Sequence, residues 1–230
     1  MNDDTKLAKE YHELIEVNMT FDIKPNANWN SFEKWEKGTI KIIDEIPGCK
    51  RTFVSRNIVK SPYIKWTLWW ETLDNWQNFT TNDTWVTIIS SIQTDHGKDL
   101  NYELWKLDPL VALPGKPKSK GVTEVNLTGN LLPSTKWLDY GRLANQTIRE
   151  IFEDPGCAIA FASRNVWGSP AVQWTIWWQQ FKDWAAFLQN TKWVAIVDDL
   201  RSKITAINVE IWSPPVLHKD KQTEEPPKPG

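Results

Sequence analysis

Trp66-Thr67-Leu68-Trp69-Trp70 returns 108 residues later as Trp174-Thr175-Ile176-Trp177-Trp178. The same offset carries matches outward on both sides. Toward the N-terminus, Ser55-Arg56-Asn57 meets Ser163-Arg164-Asn165, and Pro47-Gly48-Cys49 meets Pro155-Gly156-Cys157. Further out, Trp29 meets Trp137, and Glu16-Val17-Asn18-Met19-Thr20 meets Glu124-Val125-Asn126-Leu127-Thr128. Toward the C-terminus, Trp76, Phe79 and Trp85 meet Trp184, Phe187 and Trp193. One residue is then lost, so that Glu103 and Trp105 meet Glu210 and Trp212. Register held over this many positions marks an internal duplication.

Each copy reads as strand, helix, strand, strand, helix, strand. The pattern predicts a first strand over 10–20 and 119–128, and a helix over 30–46 and 135–153. Phe32, Trp35, Ile40 and Ile43 recur near helical spacing, with Asn30 or Ser31 as the cap. Pro47-Gly48 ends the helix and turns the chain. Strands follow over 49–57 and 157–165. Third strands open after Ser61-Pro62 and Ser169-Pro170 and run to about residues 70 and 178. A second helix is expected over 72–92 and 180–200, and last strands over 101–107 and 206–212. This order is the ferredoxin-like split βαβ unit, so the fold class is α+β. The first unit is assigned to 1–107, a Pro- and Lys-rich linker to 108–121, the second unit to 122–213, and a disordered Pro-Lys-Glu tail to 214–230.

Alternation along the strands separates two faces. Val17, Met19, Ile64, Trp66, Leu68, Trp70 and Leu104, with their counterparts, form an apolar set expected under the helices; Cys49, Phe53 and Ser55 are placed with it. The opposite phase carries Glu16, Asn18, Thr20, Arg56, Tyr63, Lys65, Thr67, Trp69, Asn101, Glu103 and Trp105. In the second copy it carries Glu124, Asn126, Thr128, Ala158, Ala160, Ala162, Arg164, Gln173, Thr175, Trp177, Asn208, Glu210 and Trp212. Two such faces pack on each other inside a fused barrel with a pseudo-dyad between copies. The three alanines make the second half the roomier one in this reading.

A net charge of −2 without a basic patch argues against nucleic acid as a partner. Apolar runs are too short for a membrane span, and the acidic, polar start lacks signal-peptide features, so a cytoplasmic protein is expected. No Cys, His and Asp cluster has metal-ligand spacing, and no phosphate loop or dinucleotide fingerprint occurs, so no metal and no cofactor are expected. His12, His96 and His218 are scattered, and only His12 falls in phase with Glu16. Cys49 and Cys157, entering strands after Pro-Gly, are expected to be buried and inert.

The run from Pro47-Gly48-Cys49 through Trp85 resembles the core of antibiotic-biosynthesis-monooxygenase-type proteins, in the dimeric α/β-barrel superfamily. Pro-Gly-Cys, an Arg late in the second strand and a Trp closing the third are matched by Arg56 and Trp70, and by Arg164 and Trp178. The resemblance covers both repeats, so it implies that one chain mimics the family's homodimer. It also implies cofactor-free monooxygenases, polyketide cyclases and isomerases as functional relatives. Where the family carries Glu before that Trp, and His on the following helix, this chain has Leu68 and Ile176, and Phe79 and Phe187.

Trp is abundant, with 16 residues against 8 Phe and 4 Tyr. Trp66, Trp70, Trp76 and Trp85 lie on apolar phases and are expected in the core. Trp69, Trp105, Trp177 and Trp212 lie on the polar phase and fit an aromatic cleft for a small apolar or aromatic molecule. Asn126, Thr175 and Asn208 join them as candidate substrate contacts. Close carboxylates in a dry interior do not both ionise cheaply, which makes Glu124 and Glu210 candidate proton carriers beside Arg164 as a fixed donor. The competing role is a salt bridge to Arg56, Lys65 or Arg164 that fixes the register. The expected activity is that of a cofactor-independent tailoring enzyme of secondary metabolism, a cyclase, isomerase or pericyclase acting on a bulky apolar substrate. A cofactor-free monooxygenase and a non-catalytic binder are the alternatives. Because the second repeat supplies the surface that a homodimer partner covers, light scattering should return one 26.7 kDa chain and no stable species of twice that mass.

Overall fold

A computed structural model describes residues 14–60, 63–108, 111 and 121–213. The first copy contains β1 (Ile15–Ile23), α1 (Trp29–Asp44), β2 (Cys49–Asn57), β3 (Tyr63–Trp70), α2 (Leu73–Thr80), α3 (Asp83–Ser91), a π-turn (Ile92–His96) and β4 (Gly97–Leu107). The second contains β5 (Thr123–Asn130), α4 (Trp137–Glu153), β6 (Cys157–Asn165), β7 (Ala171–Trp178), α5 (Phe181–Phe187), α6 (Thr191–Arg201) and β8 (Asn208–Ser213). The tail from 214 onward, His12 and most of the linker lie outside the described residues. Among the described residues no helix is long and apolar enough to cross a membrane.

The strands close one barrel in the order β1-β3-β2-β8-β5-β7-β6-β4. Each copy contributes four strands, and the copies join where β2 meets β8 and where β4 meets β6, both antiparallel. Helices cover the outside, with a separate apolar core beneath those of each copy. In the first core Trp35 stacks on Trp66, and Trp70 stacks on Phe79. The matching Trp174, Trp178, Trp184 and Phe187 fill the second. The aromatic residues expected under the helices therefore lie there.

Four sequence expectations need correction. The first strand is Ile15–Ile23, three residues past the expected end, and the expected start near residue 10 lies outside the described residues. The cap of α1 is Asn28, which accepts from the Ser31 amide at 3.1 Å. The second helix of each copy is two helices, because Asn82 and Asn190 accept from the Thr84 and Lys192 amides and start a new helix in mid-segment. The fourth correction matters most. Cys49 and Arg51 pair with Trp70 and Trp69, and Cys157 and Ile159 pair with Trp178 and Trp177, so Lys50 and Ala158 are each an extra residue. Such a bulge inverts the phase of everything after it. Phe53, Ser55, Phe161 and Ser163 face the barrel interior, whereas Val54, Ala160, Ala162, Arg56 and Arg164 face the helices.

The linker is anchored where it is described. Asp108 is wholly buried and accepts from Arg164 Nη2 at 2.5 Å, and Val111 joins the core of the second copy. Ala160 lies beneath α4 with no exposed surface. Ala160→Leu should therefore act on stability, lowering the unfolding free energy in urea by about 1–3 kcal/mol through overpacking.

Candidate functional site

The barrel interior is built from the inward phases of all eight strands. At its centre lie two copies of one polar set, Glu16, Asn18 and Thr67, and Glu124, Asn126 and Thr175, all buried. Within the first set, Asn18 Nδ2 donates to Glu16 Oε1 at 2.7 Å and Thr67 Oγ1 donates to Asn18 Oδ1 at 2.8 Å. Within the second, Asn126 Nδ2 donates to Glu124 Oε1 at 3.0 Å and to Thr175 Oγ1 at 3.1 Å. Each set is completed from the other copy, by equivalent positions that hold different residues. Lys65 Nζ reaches Glu124 Oε1 at 2.7 Å and Asn126 Oδ1 at 2.6 Å. Gln173 Nε2 reaches Glu16 Oε1 at 3.1 Å and Thr175 Oγ1 at 2.9 Å.

This mismatch breaks the pseudo-dyad electrostatically. Lys65, 2% exposed, forms a buried salt bridge with Glu124 and lies over the face of Trp212, 4.8 Å from the ring centre. Glu16 receives a neutral amide. Burial pushes its carboxyl above the usual range, and the charge of Glu124 pushes the same way. Lys65 and the donors Asn18 and Gln173 oppose these effects without cancelling them.

Glu16 also lines a cavity of about 20 Å³ with Leu14, Trp69, Trp105, Leu107, Phe161 and Ser163, and Lys106 at its rim. That volume holds about one water-sized group. Trp69 meets Phe161 edge-on at 6.2 Å, and Trp177 meets Phe53 at 5.5 Å, so each copy's Trp is closed by the other copy's Phe. On the outside, a groove of about 680 Å³ between α1 and α3 is lined by Trp35, Thr39, Ile42, Thr87 and Ile88, with Asp83 its one carboxylate.

Glu124, Asn126 and Trp212 gather around Lys65, with Thr175 bonded to Asn126 and Trp177 packed on Phe53. Trp69 and Trp105 belong to the cavity beside Glu16. Arg164 does not join either group. The bulge at Ala158 turns it outward, where its guanidinium lies 4.5 Å from the Trp137 ring centre and binds Asp108. Asn208 is exposed at the end of β8. Glu210 is half-buried and pairs across the strands with Asn126, and its charge, after partial burial, raises the Glu103 carboxyl. The alanines do not enlarge the second half, since two of them lie under α4. The interior cavity beside Glu16 lies at the seam between the copies, lined by β1, β3 and β4 of the first and by Phe161 and Ser163 of the second. His96 is buried against Phe32 and Trp35, and burial lowers its pKa. Burial pushes the Cys49 thiol up to about 11, as befits an inert cysteine. Glu16 and Gln173 were missed as site residues. The signal was present, because the central inward polar residues match between copies except where Lys65 faces Gln173.

No family model and no curated protein matches this sequence. Solved structures do match in fold. A candidate monooxygenase of Fusobacterium nucleatum superposes with a TM-score of 0.70 at 10% identity, over 89% of this chain and 93% of that one. An anthrone oxidase-like protein gives 0.61 at 12%, over 89% and 92%. An uncharacterized ferredoxin-fold protein of Listeria monocytogenes, related to antibiotic biosynthesis monooxygenases, gives 0.50 at 7%, over 90% and 97%. The chain thus shares its fold with these structures, a closed α/β barrel of two ferredoxin-like halves, here on one polypeptide.

A carboxyl whose folded pKa is raised stabilises the fold fully below its ordinary value, and that contribution is lost as pH rises through the raised value. As pH rises above the ordinary carboxylate range, Glu16→Gln should therefore lose less unfolding free energy than the parent chain, as measured by urea denaturation at each pH.

Proposed function

We propose that this chain is a cofactor-independent tailoring enzyme of the isomerase or cyclase kind, in which Glu16 moves one proton at the reactive end of an apolar substrate. The observation that carries this reading is the pairing of Glu124 with Lys65 while Glu16, facing an amide, lines an aromatic cavity. A carboxylic acid kept neutral in a dry site can protonate or hydrogen-bond a carbonyl oxygen and take the proton back later. Trp69, Trp105 and Phe161 supply flat walls against an unsaturated group. The small interior volume admits the reacting end alone, so the body of a bulky substrate lies at the mouth near Leu14 and Leu107. In this reading Glu124 acts with Lys65 as a fixed charge pair, and Arg164 serves the clamp to Asp108 rather than the chemistry.

The fold neighbours carry the names monooxygenase and anthrone oxidase-like, so a panel of anthrones and aryl ketones should be assayed with and without dioxygen. Under the proposed chemistry, turnover proceeds anaerobically, and Glu16→Gln lowers it by roughly 10²–10⁴-fold without lowering the melting temperature. Strict dependence on dioxygen would favour the monooxygenase reading, and binding without turnover the non-catalytic one.

A further inference from the structure

We infer that the cavity beside Glu16 is a seat for a protonated amine carried on an apolar stem. The inference rests on that cavity being the working site and names a class of ligand that holds Glu16 as the carboxylate, and so competes there with the neutral-acid chemistry. Lys65 is the template. Its ammonium occupies a seat made of a glutamate carboxylate, the amide oxygen of Asn126 and the face of Trp212. The duplication repeats the residues of that seat, with the difference that Asn18 Oδ1 accepts from Thr67 and Asn18 stands behind the cavity wall. Glu16 stands where Glu124 stands, Asn18 where Asn126 stands, and Trp105 where Trp212 stands. Trp105 is paired across the strands with Glu16 just as Trp212 is with Glu124.

What the first seat lacks is the cation. Gln173 has a shorter side chain than lysine and no charge, and its amide group donates to Glu16 Oε1 and to Thr175 Oγ1. The adjoining space is about 20 Å³, the scale of an ammonium head rather than of a ring. Its remaining walls, Trp69, Trp105, Leu107 and Phe161, suit an apolar or aromatic stem. A cation facing a carboxylate and an aromatic face in a desolvated site gains both from the charge-assisted hydrogen bond and from the ring quadrupole. The charged groups around Glu16 are Glu124 and Lys65 across the barrel and Lys106 at the rim. Lys106 is exposed, so solvent screens its repulsion. When an ammonium enters while Glu16 is protonated, the Glu16 O–H bond breaks, its proton leaves to solvent, and an ammonium–carboxylate pair remains.

Benzylamine, with benzyl alcohol as its uncharged counterpart, tests this on the full chain by tryptophan emission and by calorimetry in buffers of differing ionisation enthalpy. Benzylamine should bind once per chain and release protons, with benzyl alcohol weaker by about tenfold or more. Gln173→Lys supplies an internal ammonium and should abolish binding. Lys65→Gln empties the second seat and should raise the stoichiometry to two. Equal affinity for the alcohol, or unchanged binding in Gln173→Lys, overturns the inference even if Lys65→Gln fails to fold. If benzylamine does not bind while Glu16→Gln still suppresses turnover, the amine falls and the proton-transfer reading stands. If benzylamine binds as described and Glu16→Gln leaves turnover intact, the seat is real and the proton-transfer reading falls.

Discussion

One lysine reaching across the barrel axis sets the terms for the rest of this molecule. Closing two identical polar faces on each other brings two glutamates into a dry interior, where each carboxylate loses its hydration and feels the other. Lys65 resolves half of that conflict. It does so from the opposite copy, so the interaction that neutralises Glu124 also ties the two halves of the barrel together. Buried ion pairs give modest net stability against a well-packed apolar alternative, but removing one partner strands a charge, at a cost of about 3–5 kcal/mol. Removing Lys65 or Glu124 alone would strand the other in that way.

Much of this architecture was legible in the residues. The repeat fixed the four-strand units, and strict alternation in β1, β3, β5, β7 and β8 placed Glu124, Asn126, Thr175, Trp177 and Trp212 on one inner face. Lys65 was among the bridging cations weighed for the glutamates, and it is the one that bridges. Alternation failed in β2 and β6, where an extra residue after Cys49 and Cys157 turns Phe53 and Phe161 inward and Arg56 and Arg164 outward. A bulge leaves almost no trace in composition, since it is set by pairing with a strand elsewhere in the chain. The break within the second helices was also hidden, because a helix that stops and restarts at a capping Asn keeps nearly the same apolar spacing. The cavity beside Glu16 was not legible for a different reason. Interior volume depends on which side chains cross the axis, and strand phase alone does not reveal that Lys65 fills one seat while Gln173 leaves the other open.

The linker shows how covalent joining has been used. Asp108 and Val111 are built into the second copy, the first through Arg164 and the second through the core beneath α4. Arg56, the counterpart of Arg164, instead pairs with Glu33 at the surface and lies over Trp29. In an assembly of two identical chains, every residue near the axis appears twice, and a lysine facing a glutamine at its own equivalent position is not available. Joining the copies made that inequality possible, and with it two chemically distinct centres in one symmetric frame.

The seams between β2 and β8, and between β4 and β6, also bear on how the chain is made. When the first copy leaves the ribosome, the hydrogen-bonding edges of β2 and β4 face solvent, and Glu16, Asn18 and Lys65 line an open surface. They remain so until roughly another hundred residues have been synthesised, a delay of several seconds at ordinary elongation rates. During that interval a second nascent first copy presents the same complementary edges. Charge does not forbid that partnership, because a second first copy offers Lys65 the Glu16 that is equivalent to Glu124; the covalent tether, which raises the local concentration of the matching half, favours pairing within one chain.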